Sequence, residues 1–223
     1  MPPGERGCGE TATIITRRIF VKQMSPRKYD MSRRASAAEQ TRRRIIEAAR
    51  ELHVEQGISA TSWDAIAARA GVGVGTVYRH FPSVDELVPA CGDVSMEIVA
   101  LPDPDDAPAL FEGLRTPGER LARLVREAFA IYERGARELH VVRRDADAHT
   151  SVAAAAEALE ASLSALVDAA LSRFGAPPRE RALARAMIDL NTWEALRDHG
   201  LGPAESVAAI SDVLASRLTA QQG

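Results

Sequence analysis

The chain has 223 residues, a formal net charge of −3, and 46% hydrophobic but only 4% aromatic residues. That length accommodates a small helical module plus a larger domain with its own core, and two cysteines, Cys8 and Cys91, give neither a disulfide framework nor metal-ligand spacing. The net charge alone argues against a polyanionic partner, but residues 1–50 carry 12 Lys or Arg against 5 Asp or Glu, while residues 51–223 carry 16 against 26. A basic end on an acidic body is the asymmetry expected where one end meets nucleic acid. No apolar run reads as a bilayer span, and residues 14–21 are interrupted by Arg17 and Arg18, a poor export signal. The expectation is a soluble, cytoplasmic protein without a membrane partner.

Residues 1–35 are rich in Pro, Gly, Arg and Ser and lack periodicity, so they read as a disordered basic extension, with Met24 and Met31 as alternative starts. Its Arg27, Lys28, Arg33 and Arg34 form either a solvated tail or an arm that tracks phosphates. Ser36 with Glu39 spells a capping box that opens the first helix, which stops at Gly57 and buries Ile45, Ala49 and Leu52. His53 falls on that stripe and is expected to be neutral and packed, with no second ligand type nearby for a metal.

The segment 61–87 is the most informative. Thr61 or Ser62 N-caps a short helix with Ile66, Ala67 and Ala70 on its apolar side, and Gly71 ends it in the left-handed conformation. Residues 74–81 restart as a helix with Val77 and Phe81 turned inward. Two short helices joined by a glycine turn make a helix-turn-helix, whose second helix enters the DNA major groove.

Ser83 with Glu86 spells a second capping box for a helix running to about Ala100, and 101–108 (LPDPDDAP) reads as a loop. Thr116 before Pro117 opens a helix to about Arg134, followed by a shorter one over 136–145. A long helix over 150–174 and two final ones, 178–199 and 203–220, complete an all-α chain.

The helix IIEAARELHVEQG, Thr61, Ile66 with Ala67, the run AGVGVGTVYRHF and residues 83–87 resemble the N-terminal domain of tetracycline-repressor-type (TetR) transcription regulators. The resemblance implies a three-helix DNA-binding domain over 36–82 (helix-turn-helix about 63–82), a connecting fourth helix over 83–100, and a helical ligand-binding and dimerisation domain over 101–223. It implies a homodimeric repressor, not an enzyme, with no cofactor or metal, released from a double-stranded pseudo-palindromic operator by an unknown small, largely apolar effector. The positions that usually face bases in the family are Gly73, Val74, Gly75 and Thr76 here, a set nearly bare of hydrogen-bonding side chains. Tyr78 and His80 match phosphate-contacting positions, Arg79 adds the helix's only full positive charge, and Arg42, Arg43, Thr61 and Ser62 complete the DNA-facing set. For Tyr78 the alternative is packing, and for the basic front of the first helix, Arg44 included, it is a solvated face. Val74 and Val84 stand where many members carry polar donors, which shifts the expected readout toward thymine methyls and DNA shape.

At the other end, Leu183 and Leu190 give one apolar stripe and Val207, Ile210, Leu214 and Leu218 another. The family pairs such helices with their copies across a two-fold axis, with ordinary intrachain core as the alternative. Val94 and Ile98 from the connecting helix, with Phe111, Phe129, Tyr132, Met187 and Trp193, are the candidate pocket, and His140 and His149 its polar anchors. Two rival readings are a DNA-binding or architectural protein without an effector and a helical enzyme. The latter lacks a nucleophile-base grouping, metal spacing and a phosphate loop.

Overall fold

The computed structural model describes residues 31–219, and every regular element among them is a helix. The first, α1 (Met31–Gln56), begins upstream of the expected cap. Ser36 therefore lies inside the helix, because Arg33, Arg34, Ala35, Ala37 and Ala38 are strong helix formers that extend it past a possible start. The boundary expected at 35 moves to 31, and residues 1–30, with Cys8, Arg27 and Lys28, lie outside the described residues. The helix stops at Gly57, whose φ of +96° no side-chain-bearing residue adopts easily, with its amide N–H donating to the His53 carbonyl at 2.9 Å.

The helix-turn-helix forms as read. Ser62 caps α2 (Trp63–Ala70) by accepting the Ala65 N–H at 3.2 Å, and Gly71 closes it at φ 66°, ψ 41°. α3 (Val74–His80) follows from Gly73, with Val77 and Phe81 buried beneath it. α4 (Val84–Val99) starts at Ser83, but the serine side chain makes no cap bond, so the second capping box does not form. Asp85 and Glu86 complement the positive helix end instead. Pro89 lies inside α4, and the helix ends at Ala100 in a left-handed conformation, φ 49°. Arg134 satisfies that end, donating to the carbonyls of Val99 (3.1 Å) and Ala100 (3.0 Å).

The expected loop over 101–108 instead enters a 3-10 helix, Pro104–Phe111. Asp103 accepts the Asp105 N–H at 2.9 Å, Pro104 presets the first turn, and burial of Ala107 and Phe111 holds the rest. Thr116 and Glu119 form a complete capping box at the head of α5 (Pro117–Asp145). The two helices expected on either side of Gly135 are one run with a kink, since Gly135 alone departs from helical geometry (φ −137°, ψ 24°). α6 (Thr150–Leu171) ends three residues short of the expected Phe174. The single helix expected over 178–199 is two, α7 (Pro178–Met187) and α8 (Leu190–Asp198). Ile188 leaves the helical region, and the Asp189 side chain accepts the Asn191 N–H at 3.0 Å to begin anew. α9 (Pro203–Thr219) closes the fold.

The core comes in three clusters. Ile45, Ala49, Leu52, Ile66, Val77, Phe81, Leu87 and Cys91 fuse α1 to α3 with the start of α4. A larger cluster, including Val99, Phe111, Leu124, Phe129, Tyr132, Leu166 and Leu214, builds the body from the end of α4 onward. Between them sits a small cluster of Ile58, Val88, Val142 and Val152. Arg120 is buried in the body and ties the 3-10 segment to the end of α6, donating to the carbonyls of Phe111 at 2.9 Å and Ala170 at 2.8 Å. α6, with 22 residues and a mean hydropathy of 1.2, is long and apolar enough to cross a bilayer by composition, contrary to the expectation that no run would be. Its Leu163, Leu166, Val167, Ala170 and Leu171 are packed in the body core.

Candidate DNA-binding surface and junction cavity

The face presented by α3 is apolar and uncrowded. Val74 (37% exposed) and Tyr78 (47%) on α3, with Val84 just beyond it, are three of the four exposed large hydrophobic residues among those described. A soluble module leaves such groups out where a partner covers them. Gly73, Gly75 and Arg79 are exposed beside them, while Thr76 and His80 are half-buried. A Cβ built on Gly73 or Gly75 would meet nothing within 4 Å, and neither residue has a positive φ. Nothing among the described residues therefore requires glycine at these positions.

Tyr78 does both things left open for it: its ring packs on Trp63, with centroids 5.0 Å apart, yet remains half exposed. The remaining expected contacts divide. Arg42 lies over the Phe81 ring at 4.9 Å, and Arg43 pairs with Glu39 at 3.2 Å, on the solvent side of α1. Thr61 donates its hydroxyl to the Gly57 carbonyl at 2.7 Å and Ser62 is occupied as a cap, so both shape the turn locally. Arg69 is held by Glu55 (2.8 Å) and Glu51 (3.1 Å), which locks α2 onto α1.

Where the DNA-binding module meets the body there is a cavity of about 290 Å³. α1 contributes Arg50, His53 and Val54, α4 contributes Val88 and Cys91, the far half of α5 gives Glu138 and Val142, and the start of α6 gives Ser151 and Val152. Polar bonds weld the same junction: Arg50 Nη1 to Glu138 Oε1 at 2.5 Å, the Ile58 N–H to Asp145 Oδ2 at 3.1 Å, and Arg144 Nη2 to the His53 carbonyl at 2.6 Å. Burial pushes the His53 imidazole down to about 4 against the opposing pull of Asp145, so the ring is neutral as expected. Burial also pushes the Cys91 thiol up to about 12, leaving it protonated and unreactive.

None of the seven residues expected to line a pocket lines this cavity. Phe111 and Phe129 are buried in the body, yet Phe111 lines a second cavity of about 530 Å³ and Phe129 a third of about 260 Å³; Tyr132 and Trp193 pack ring to ring at 6.0 Å in the interior, and Met187 packs against the same core. Burial raises the Tyr132 phenol, which donates to the Ile188 carbonyl at 2.8 Å. Val94 packs on the DNA-binding core, and Ile98 is half-buried. His140 faces Glu194 at 2.6 Å on the far side of α5. The residues expected at a dimer interface also turn inward. Leu190, Ile210, Leu214 and Leu218 are buried in the body, with Leu183 and Val207 packed against it, because α9 lies along α5 of its own chain.

Sequence reasoning passed over Arg50 and Glu138, whose meeting is 88 residues apart in sequence and carries no local signal. It noticed His53 as a polar residue on a buried stripe, and that was the trace of the cavity it did not follow. Among the described residues no cluster of His, Cys, Asp and Glu could hold a metal ion.

A helix-turn-helix with an open second helix is mounted on a larger helical body. Residues 45–91 match the profile of "Bacterial regulatory proteins, tetR family". It is 49% identical over 61 residues to the HTH-type transcriptional regulator SrpR of Pseudomonas putida, covering 27% of this chain and 29% of that one. The chain thus spans under a third of that relative's length. The whole fold is similar to that of a transcriptional regulator from Rhodococcus sp. Rha1 (TM-score 0.57, 20% identity, 81% and 96% of the two chains). It is also similar to that of FadR from Bacillus subtilis in complex with stearoyl-CoA (TM-score 0.53, 18% identity, 78% and 97%).

Proposed function

We propose that the protein is a cytoplasmic, homodimeric transcription repressor that leaves a pseudo-palindromic operator when a small, largely apolar ligand binds. The observation that carries the reading is the exposed face of α3. Val74, Tyr78 and two glycines with no intrachain role are arranged where a DNA groove would cover them. Val74 and the Thr76 methyl suit thymine C5-methyls, Thr76 hydroxyl suits a base or phosphate, and Arg79 supplies charge to the backbone. Arg42, over the Phe81 ring at the end of α3, adds a cation next to this face.

Dimerisation is supported by geometry rather than by the stripes first picked out. The outward face of α9 presents Ala204, Ala208, Ala209 and Val213, the last 48% exposed, and small residues allow close approach of a second copy. A two-fold pair would place two α3 helices on one side of a duplex. Capture of genomic fragments on the purified protein, with native mass spectrometry of the complex, tests the reading. Enrichment of a two-fold-symmetric sequence bound by an even number of chains is expected. Monomeric protein at micromolar concentration, or capture without sequence preference, would overturn it.

A further inference from the structure

The junction cavity touches both the DNA-binding module and the body, and its chemistry is selective. We propose that this junction cavity is the effector site, and that its ligand is a small, uncharged, mostly apolar molecule with a hydrogen-bond donor, held by the Glu138 carboxylate and the His53 ring. The inference rests on the regulator reading for its consequence but not for the binding itself.

Size sets the first limit. At about 290 Å³ the cavity lies at the lower edge of small-molecule sites, which run from about 300 to 1,000 Å³. A long acyl thioester of coenzyme A is far too large, whereas a fused pair of rings fits. Charge sets the second. The lining holds Arg50 against the carboxylates of Asp93 and Glu138, and Arg50 is already paired with both Glu138 and Glu47. An anion would enter an acidic site without a free cation, and a desolvated charge without a partner is costly.

The third limit is hydrogen bonding. Glu138 is 8% exposed and its Oε1 takes the Arg50 bond, while its Oε2 takes none among the described residues. The His53 ring is 5% exposed and likewise makes no hydrogen bond there. Neither belongs to the fully buried side-chain atoms left without a partner, so both open onto the space beside them, where a ligand's polar atoms can take the place of water. A hydroxyl can donate to Glu138 and meet the neutral imidazole, while Val54, Val88 and Val142 enclose the rest.

The position gives the binding its consequence. Glu138 is the α5 half of the bond that ties α1 to the body, and α1 carries α2 and α3 through Arg69. A ligand donor on the same carboxylate competes with Arg50, and its rings fix the separation of α1 from α6. Operator affinity shifts by the difference in ligand affinity between the two spacings.

Three naphthalenes of equal ring size test the site on the full chain without DNA: 2-naphthol, 2-naphthoate and 2-naphthylmethylammonium, titrated by calorimetry. The expected order has 2-naphthol at least tenfold tighter than 2-naphthoate. Ala155→Trp, which fills the cavity, should weaken 2-naphthol at least tenfold, and His53→Phe, which keeps the ring and removes its nitrogens, at least threefold. Should Ala155→Trp not fold, as read by lost helical circular dichroism, the His53→Phe comparison decides. No measurable 2-naphthol binding, preferred binding of either charged probe, or unchanged affinity in the folded variants would overturn the assignment. Loss of this pattern with genomic capture intact sinks the cavity alone, and loss of capture with the pattern intact sinks the regulator reading alone.

Discussion

Gly135 and Val99 meet where α5 kinks against the end of α4: a Cβ added to the glycine would lie 2.5 Å from Val99 Cγ2 and 3.1 Å from Val99 Cα. Val99 is fully buried, and its carbonyl is held by Arg134 one residue before the kink. The approach of α4 leaves no room for a side chain at residue 135, where α5 kinks, and the same contact packs the distal end of α4 on the body.

Gly135→Ala is expected to destabilise the fold by about 1–3 kcal/mol, the range for overpacking a filled interior. On a Val99→Ala background the cost should shrink, though not vanish, because the backbone contact remains. Urea denaturation of the two single variants and the double variant gives the coupling. Additive losses would show that the kink does not depend on Val99.

Acid should destabilise the protein through His53. Its folded value of about 4 lies below the roughly 6.5 of an unfolded chain. Between those values the unfolded chain binds a proton that the folded one refuses, so stability falls as pH drops through this window and levels off beneath it. The full loss is on the order of 3 kcal/mol, from about 1.4 kcal/mol per unit. Asp145, His149 and Arg144 surround the ring, and His53→Phe leaves them in place. The difference in stability between wild type and His53→Phe should therefore change across pH 4–6.5 and stay flat above pH 7. A flat difference throughout would mean that the ring titrates normally.

Gly75→Ala separates folding from DNA contact. The added methyl meets open space, and alanine favours an exposed helix position by up to about 1 kcal/mol over glycine. Melting temperature should hold or rise while operator affinity falls at least tenfold. Unchanged affinity would mean that the α3 backbone does not approach DNA closely.

Val74→Ala and Thr76→Ala should relax preference at thymines by at most about 1–3 kcal/mol per base pair. Arg79→Ala should weaken all sequences alike and reduce the salt slope by about 0.9 per chain, or roughly 1.8 for a dimer. Competition binding against single-base operator variants checks both, and loss of preference at one guanine in Arg79→Ala would reverse the roles.

The helix-turn-helix was legible because its determinants are local: a cap at Ser62, a left-handed Gly71, and Val77 and Phe81 at helical spacing. The break at Ile188 and the turn at 104–111 were not, since they depend on burial against helices distant in sequence. The same limit explains the candidate sites. Phe129, Tyr132 and Trp193 signal an interior, but whether an aromatic lines a void or fills it depends on packing that spacing does not encode. The stripes through Leu190 and Leu214 show equally why an apolar face announces burial without announcing against what.

Pro89 has a kinetic consequence. Without an N–H it cannot close the bond to the Asp85 carbonyl, so α4 is weakest one turn into its length, beside the junction cavity. Leu87, Ala90, Cys91 and Val94, on both sides of Pro89, pack with the DNA-binding core, while Met96 and Val99, at the far end, pack with the body. The helix is therefore one rod in shape but two units in its opening. Amide deuterium uptake in α4 should divide after Val94, with the near segment exchanging in step with α1–α3 and the far segment with α5, while the amides around Pro89 exchange fastest within the near segment.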